Sequence, residues 1–149
     1  MRAVIQRALE GQVTVDNKVI GQIGRGLVIL VGIGKGDSDK DIEYIADKVV
    51  NLRIFQDEAD KMNLSVLDIQ GEILAVSQFT LYGDARKGRR PSFSEAALPD
   101  QGLDMFDRVV ERIRAAGLKV KTGEFGADMK VEIINDGPCT IILDSQRGI

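Results

Sequence analysis

The first third of the chain alternates short apolar runs with turn residues, a pattern that predicts β-strands. Valines flank the sequence Asp16-Asn17-Lys18, which is typical of a hairpin turn. Residues 26–32 form an apolar run bounded by glycines, as expected for a strand buried on both faces. Residues 1–33 are therefore predicted to be strands.

Two later segments place apolar residues at helical spacing. Asp37-Ser38-Asp39 provides N-capping chemistry before the first segment, which predicts a helix over about 39–51. The second segment is followed by Gly117, a plausible C-terminal stop. The apolar positions are Ile42, Ile45, Ala46 and Val49 in the first helix, and Leu103, Phe106, Val110 and Ile113 in the second.

Further strand-like runs lie at 71–79, 119–122, 129–134 and 140–144. The order is thus strands, helix, strand, helix, strands, without the strict alternation of a Rossmann-type sheet. This order predicts an α+β fold with a mostly antiparallel or mixed sheet, curled toward a small β-barrel, and two main helices. With 149 residues, the chain is expected to form one domain over 1–149.

Composition limits the cellular location and the cysteine chemistry that we expect of this protein. No apolar run approaches the length of a membrane span, and the N-terminus lacks the features of a signal peptide, so we expect a cytoplasmic protein without a membrane partner. The single cysteine, Cys139, excludes an internal disulfide. Because it lies beside the apolar run at 141–143, we interpret it as a buried, inert thiol.

The absence of histidine removes many catalytic options, including the Ser-His-Asp triad, the Cys-His pair and the HExxH zinc motif. Scattered Asp and Glu leave a carboxylate site for magnesium open, but no spacing singles out a cluster, so neither a metal nor a cofactor is expected. The glycines at 32–36 match neither the P-loop nor the dinucleotide fingerprint, and indicate a flexible turn.

Two short segments remain as candidates for chemistry. Ser77-Gln78-Phe79-Thr80 ends a buried strand, where hydroxyls, an amide and free N–H groups can stabilise an oxyanion or simply complete a turn. Gly137-Pro138 interrupts two strand-like runs, and proline does not fit a central strand. It marks either a plain tight turn or a rigid corner that contacts a ligand.

Positive charge is concentrated in one segment although the net charge is −3. The cations are Arg86, Lys87, Arg89 and Arg90. The segment is either a solvated loop or a contact for nucleic-acid phosphates.

Taken together, Ser77-Gln78-Phe79-Thr80-Leu81 and Asn135-Asp136-Gly137-Pro138-Cys139-Thr140 resemble the D-aminoacyl-tRNA deacylase family, also called D-tyrosyl-tRNA deacylase. The similarity extends over essentially the whole chain, including residues 1–7, 86–93 and 125–129 in the same order. One departure is visible, since Cys139 stands where the family usually has valine, and this apolar exchange puts little in doubt.

The resemblance implies hydrolysis of the ester between a D-amino acid and the 3′ end of tRNA, with glycyl-tRNA as a secondary substrate. It also implies a homodimer in which a cis Gly137-Pro138 peptide reaches into the partner's pocket to select handedness. Ser77, Gln78, Phe79 and Thr80 would then form the catalytic floor, and Arg86, Lys87, Arg89 and Arg90 would contact tRNA.

Several roles stay open at this level. Thr80 is either a positioning residue, with backbone amides and the tRNA 2′-hydroxyl promoting hydrolysis, or the nucleophile. Met129 either lines the amino-acid pocket or packs in the core, and Arg7 either braces the Gly-Pro corner or forms a surface ion pair. A non-catalytic tRNA- or nucleotide-binding module and a hydrolase of free small molecules are the competing functions.

Overall fold

A mixed sheet, two α-helices and one short 3-10 helix make up the computed structural model, which describes residues 1–148. The strands are β1 (Arg2–Val15), β2 (Lys18–Ile23), β3 (Gly26–Gly32), β4 (Phe55–Gln56), β5 (Met62–Leu64), β6 (Glu72–Ser77), β7 (Lys119–Thr122) and β8 (Lys130–Asp144). The helices are α1 (Asp39–Asn51), α2 (Pro99–Ala115) and the 3-10 helix Phe79–Tyr82.

The main sheet has the order β2-β1-β3-β6-β7, with β8 on the other side of β1. Strand β1 pairs antiparallel with β2, β3 and β8, whereas β3–β6 and β6–β7 are parallel. Strands β2 and β7, at the two ends of this order, approach each other closely: a Cβ added to Gly21 of β2 would lie only 2.8 Å from the carbonyl oxygen of Thr122 in β7. The predicted α+β class, mixed sheet, barrel-like curl and two main helices are confirmed.

Strands β3 and β6 are buried on both faces and divide the apolar core in two. Ile29 of β3 and Ile73 of β6 face the larger core, which both helices cover. Val28 and Leu74 point the other way, into a smaller cluster inside the curled sheet. This double burial explains why both strands read as continuous apolar runs rather than as alternating ones.

Local capping chemistry sets the helix ends. The N–H of Ser38 donates to Asp41 Oδ2 at 2.7 Å at the start of α1. Burial would raise the pKa of Asp41, but hydrogen bonds from Ser145 and Ser38 lower it overall. At the end of α2, Gly117 takes a φ of +101°, which favours glycine. The first helix was predicted with the observed bounds.

Three details differ from the predicted elements. The strand over 71–79 ends at Ser77, and Phe79 begins a 3-10 helix instead. The runs at 129–134 and 140–144 belong to one strand, β8, which leaves its ladder between them. The β4–β5 ribbon had no clear alternating pattern and was not predicted.

Among residues 1–148, no helix combines the length and the apolar character that crossing a membrane requires.

Candidate active site

The first predicted motif forms a tight turn at the end of β6. The N–H of Gln78 still bonds to the Val31 carbonyl of β3 at 2.8 Å, as a continuation of the parallel ladder. The chain then turns, and the N–H of Leu81 donates to the Gln78 carbonyl at 3.3 Å. Within residues 1–148 the N–H groups of Phe79 and Thr80 have no acceptor. Residues 77–80, which we call the catalytic turn after the role that the family resemblance implies, therefore present two free donors.

Arg2 holds the C-terminal part of the 3-10 helix that continues the catalytic turn. Its Nη1 donates to the Leu81 carbonyl at 3.0 Å, and its guanidinium lies 4.7 Å from the centre of the Tyr82 ring. Its Nε also contacts the buried carboxylate of Asp144 at 3.3 Å. Burial, together with the nearby carboxylates of Asp37 and Asp144, raises the pKa of Tyr82 well above its usual range. Tyr82 is therefore a neutral support for the turn at any physiological pH.

The catalytic turn forms the floor of an apolar cavity of about 510 Å³. The lining residues are Ser77, Gln78, Phe79, Thr80, Phe93, Ala96, Ala97, Leu98, Pro99, Phe125, Gly126, Ala127 and Met129. Phe79 and Phe93 meet edge to face with ring centres 5.1 Å apart. Met129 lines the cavity and also packs against the smaller core cluster.

Apart from Phe79 and Met129, the aromatic and apolar walls of this cavity were not predicted. Phe93, Leu98 and Phe125 come from loops far from Ser77 in sequence. Their local signal in the sequence is weak: Phe93 follows Pro91 by two residues, Leu98 precedes Pro99, and Phe125 precedes Gly126. Leu98 is 71 % exposed and Phe79 57 % exposed.

Side chains of the catalytic turn also interact with each other. Gln78 Nε2 donates to Thr80 Oγ1 at 3.0 Å. This bond occupies a lone pair of the hydroxyl and leaves its proton free to donate. Ser77 and Gln78 are half-buried, while Thr80 is exposed to the cavity and solvent.

The second motif forms a protruding corner in β8. Gln6 pairs with Thr140 and Ala8 with Asn135, so four residues of β8 stand opposite one residue of β1. The Gly137–Pro138 peptide bond is cis, and both residues are exposed. Residues 136–139, which we call the corner, do not contribute to the cavity above the catalytic turn in their own chain.

Two side chains grip the corner. The Asn135 Nδ2 donates to the carbonyls of Arg7, at 2.8 Å, and Cys139, at 2.9 Å. Arg7 is only 4 % exposed, and its Nε donates to the Asp136 carbonyl at 3.1 Å. A Cβ on Gly137 would lie 2.6 Å from Arg7 Nη2. Arg7 therefore braces the corner from a buried position, and its Nε also forms an ion pair with the partly exposed carboxylate of Asp136 at 3.5 Å.

The basic segment forms an exposed loop beside the cavity. Asp84 and Ser92 pair across its base, one residue before Phe93 enters the cavity wall. Arg86 donates to Asp84 through Nε at 2.9 Å and Nη2 at 2.7 Å. The hydrogen bond and charge of Arg86 lower the pKa of Asp84 to about 2, so this pair stays ionised at neutral pH.

The remaining cations of the loop are Lys87, Arg89 and Arg90. All three are exposed, and none forms an ion pair within the described residues. Across residues 1–148, no three His, Cys, Asp or Glu side chains are placed so that they could hold a metal ion. Cys139 is buried as predicted.

Comparisons with known proteins agree with the resemblance. A family model described as D-Tyr-tRNA(Tyr) deacylase matches residues 4–144. The D-aminoacyl-tRNA deacylase of Thermotoga petrophila is 59% identical over 147 residues, 99% of each chain. A protein of the same name from Clostridium botulinum is 57% identical over 147 residues, also 99% of each chain.

Two solved structures share the fold. One, described as c-Myc DNA Unwinding Element Binding Protein, has a TM-score of 0.91 at 43% identity and covers 97% of this chain and 98% of its own. The other, described as a probable eukaryotic D-amino acid tRNA deacylase, has a TM-score of 0.83 at 20% identity, covers 95% of this chain and 97% of its own, and shows similarity of fold alone. With the family model and these relatives, the chain belongs to the D-Tyr-tRNA(Tyr) deacylase family of hydrolases.

Proposed function

We propose that the protein hydrolyses the ester that joins a D-amino acid, or glycine, to the 3′ end of tRNA. Relatives at 57–59% identity over nearly the whole chain carry the name D-aminoacyl-tRNA deacylase. The observation that carries the proposal is the apolar cavity with the free N–H groups of Phe79 and Thr80 on its floor. Such a cavity suits an apolar substrate group, and the free donors suit a developing oxyanion.

The chemistry requires no side-chain base in this scheme. Water attacks the ester carbonyl carbon, and the N–H groups of Phe79 and Thr80 stabilise the tetrahedral oxyanion. The bond to the ribose oxygen then breaks, while the neighbouring 2′-hydroxyl of the substrate relays the proton of the water to that leaving oxygen. The products are the free amino acid and tRNA. This route explains how a chain without histidine can act as an esterase.

Thr80 acts as a positioning residue in this proposal. A nucleophilic hydroxyl needs a base that accepts its proton. Within residues 1–148, Thr80 Oγ1 accepts a bond from Gln78 and donates none. The free proton of Thr80 is therefore available to a substrate oxygen. The rival role, Thr80 as nucleophile, predicts a different response when the substrate lacks its 2′-hydroxyl.

The corner supplies handedness from a second copy of the chain. Gly137 and Pro138 are exposed and lie outside the cavity of their own chain, so a homodimer would be needed to bring them to a catalytic turn. There, the main chain would leave room for the α-hydrogen of a D-residue and clash with an L side chain. Exclusion of this kind rejects L-residues broadly and does not read the D side chain.

The exposed cations Lys87, Arg89 and Arg90, with Arg86, would contact phosphates near the tRNA 3′ end. Phosphate contacts position a nucleic acid without reading its sequence. A second candidate function is nucleic-acid binding without hydrolysis. It is favoured by this loop and by the structural relative at 43% identity, whose name describes a protein that binds a DNA element.

The deciding experiment compares hydrolysis of D-tyrosyl-tRNA and L-tyrosyl-tRNA by the purified protein, with glycyl-tRNA as a third substrate. We expect rapid loss of the D and glycyl esters and survival of the L ester. Binding without hydrolysis of any ester would favour the second candidate. Equal hydrolysis of both enantiomers would contradict selection by exclusion, and activity only on free amino-acid esters would exclude tRNA as the substrate carrier.

A further inference from the structure

Asn135 closes the neck of the corner, the point at which β8 leaves β1 and rejoins it. One side-chain nitrogen bonds to carbonyls on both sides of this neck, that of Arg7 on β1 and that of Cys139 on the returning limb. Its Oδ1 accepts a bond from Thr140 Oγ1 at 3.3 Å, which fixes the orientation of the carboxamide. The side chain is half-buried between these partners.

The chemistry of this contact is specific to a carboxamide. Where the ladder opens, carbonyl groups lose their usual N–H partners, and a side chain must replace them. The carboxamide NH₂ carries two donors, which match the two carbonyls. Aspartate has nearly the same shape but no donor, so it would place negative oxygens against both carbonyls. The position therefore distinguishes asparagine from its isostere.

Arg7 holds the opposite flank of the same corner. Besides the Asp136 carbonyl, its guanidinium donates to the Ile54 carbonyl at 2.7 Å and to Gln56 Oε1 at 3.0 Å. These bonds anchor the flank to the β4 segment. They do not set the distance between the two limbs of the corner, which only Asn135 spans among the described side-chain contacts.

We propose that Asn135 is a positioning residue for handedness: its carboxamide sets the width of the neck and thereby the place of the Gly137–Pro138 backbone. This inference rests on the proposed function. If the neck is wider, the backbone of the corner can move away from an L side chain and no longer excludes it. The catalytic turn stays unchanged because it lies outside the corner. The effect should fall on discrimination and not on hydrolysis of the D ester.

The test is Asn135→Asp, with Asn51→Asp as the matched control. Asn51 lies exposed at the end of α1 and donates only to the Asp47 carbonyl. We expect kcat/KM for L-tyrosyl-tRNA to rise at least about tenfold in Asn135→Asp, because both neutral hydrogen bonds of the carboxamide are lost, with D-tyrosyl-tRNA hydrolysis within about twofold of wild type. The control should retain both values. Size-exclusion chromatography and thermal unfolding verify assembly and folding.

The outcomes separate this inference from the proposed function. If the wild type does not discriminate between the enantiomers, the proposed function fails. If the wild type discriminates and a folded Asn135→Asp variant does so equally well, the role of Asn135 is overturned. Should that variant not fold, exposed Thr140→Val decides, because it removes the donor that orients the carboxamide and, besides that, one long, exposed bond from Gln6 Nε2 at 3.4 Å. A smaller gain in L hydrolysis supports the inference, and unchanged selectivity overturns it.

Discussion

The catalytic turn and the corner are both short departures from a strand, yet they are built in opposite ways. The catalytic turn lies on the floor of an apolar cavity formed by its own chain, and Arg2 contacts the 3-10 helix that continues it. The corner protrudes, and its backbone meets no cavity in its own chain. Asn135 and Arg7 nevertheless hold it firmly from inside. A loop held this tightly and left exposed is suited to contact something outside the chain.

This difference suggests a division of labour in the proposed function. Ester hydrolysis needs fixed donors in a sheltered place, and the end of a buried strand provides them. Rejection of a side chain needs only a rigid obstacle, and an obstacle can come from another subunit. Four experiments test whether the catalytic turn and the corner have these separate roles.

The largest effect is expected from the substrate itself. Replacing the terminal ribose of D-tyrosyl-tRNA by its 2′-deoxy form should lower kcat at least about a hundredfold, because the proton relay is lost. Binding, measured by competition, should change little. Near-normal turnover would exclude assistance by the substrate and favour Thr80 as the nucleophile.

The next effect tests the backbone donors of the catalytic turn. Phe79→Pro removes one free N–H and should lower kcat by about 10²–10³-fold. Gln78 is extended, with φ −146° and ψ 93°, and can precede a proline. Phe79→Ala is the control, since it loses the contact with Phe93 but keeps the N–H. Equal losses in both variants would mean that the aromatic ring matters and the donor does not.

A smaller effect tests whether the corner acts on the other subunit. Gly137 has a φ of +120° and lies against Arg7, so Gly137→Ala should displace the corner and raise L-tyrosyl-tRNA hydrolysis about tenfold. Co-refolding this variant with an excess of Phe79→Pro chains, which retain an intact corner, should restore rejection of the L ester. Persistent L hydrolysis in verified mixed dimers would show that each corner serves its own chain.

The smallest effect distinguishes the cations of the basic loop. Arg89→Ala should weaken tRNA binding a few-fold and reduce the salt dependence of binding by about one phosphate contact. Arg86→Ala should do less, because Arg86 is already paired with Asp84, whose pKa of about 2 keeps it charged at every pH above that value. D-over-L selectivity should stay constant in both. A larger loss from Arg86→Ala would mean that tRNA displaces Asp84.

Local chemistry made much of the fold predictable. Helix α1 has the bounds that its capping residues and apolar spacing predicted. The hairpin turn has positive φ at Asp16 (49°) and Asn17 (64°), the conformation that these residue types favour. Each of these features depends on neighbours within a few residues, which is why the pattern alone was sufficient.

The site was less predictable because its surroundings come from distant segments. In the sequence, the strand pattern of β6 continues into Phe79. In the structure a 3-10 helix begins at Phe79, and Arg2 contacts this helix through the Leu81 carbonyl and the Tyr82 ring, a contact that the local pattern does not show. Pro138 correctly signalled a break in a strand. At that break, Asn135 of β8 donates a hydrogen bond to the Arg7 carbonyl of β1. Arg7 lies more than a hundred residues earlier in the chain, so the local sequence does not reveal this bond.

The sequence by itself determined the secondary-structure elements of this protein and the residue types available for its chemistry: two helices, a mixed sheet, no histidine, and two motifs that identify the family. The tertiary structure decided what surrounds each motif. It placed Phe93, Phe125 and Met129 around the catalytic turn and left Gly137 and Pro138 outside that cavity. The physical reason is the distance along the chain between the residues that determine each feature. Turns and helices follow from contacts between near neighbours, whereas a cavity is defined by side chains that meet only when the whole sheet has closed.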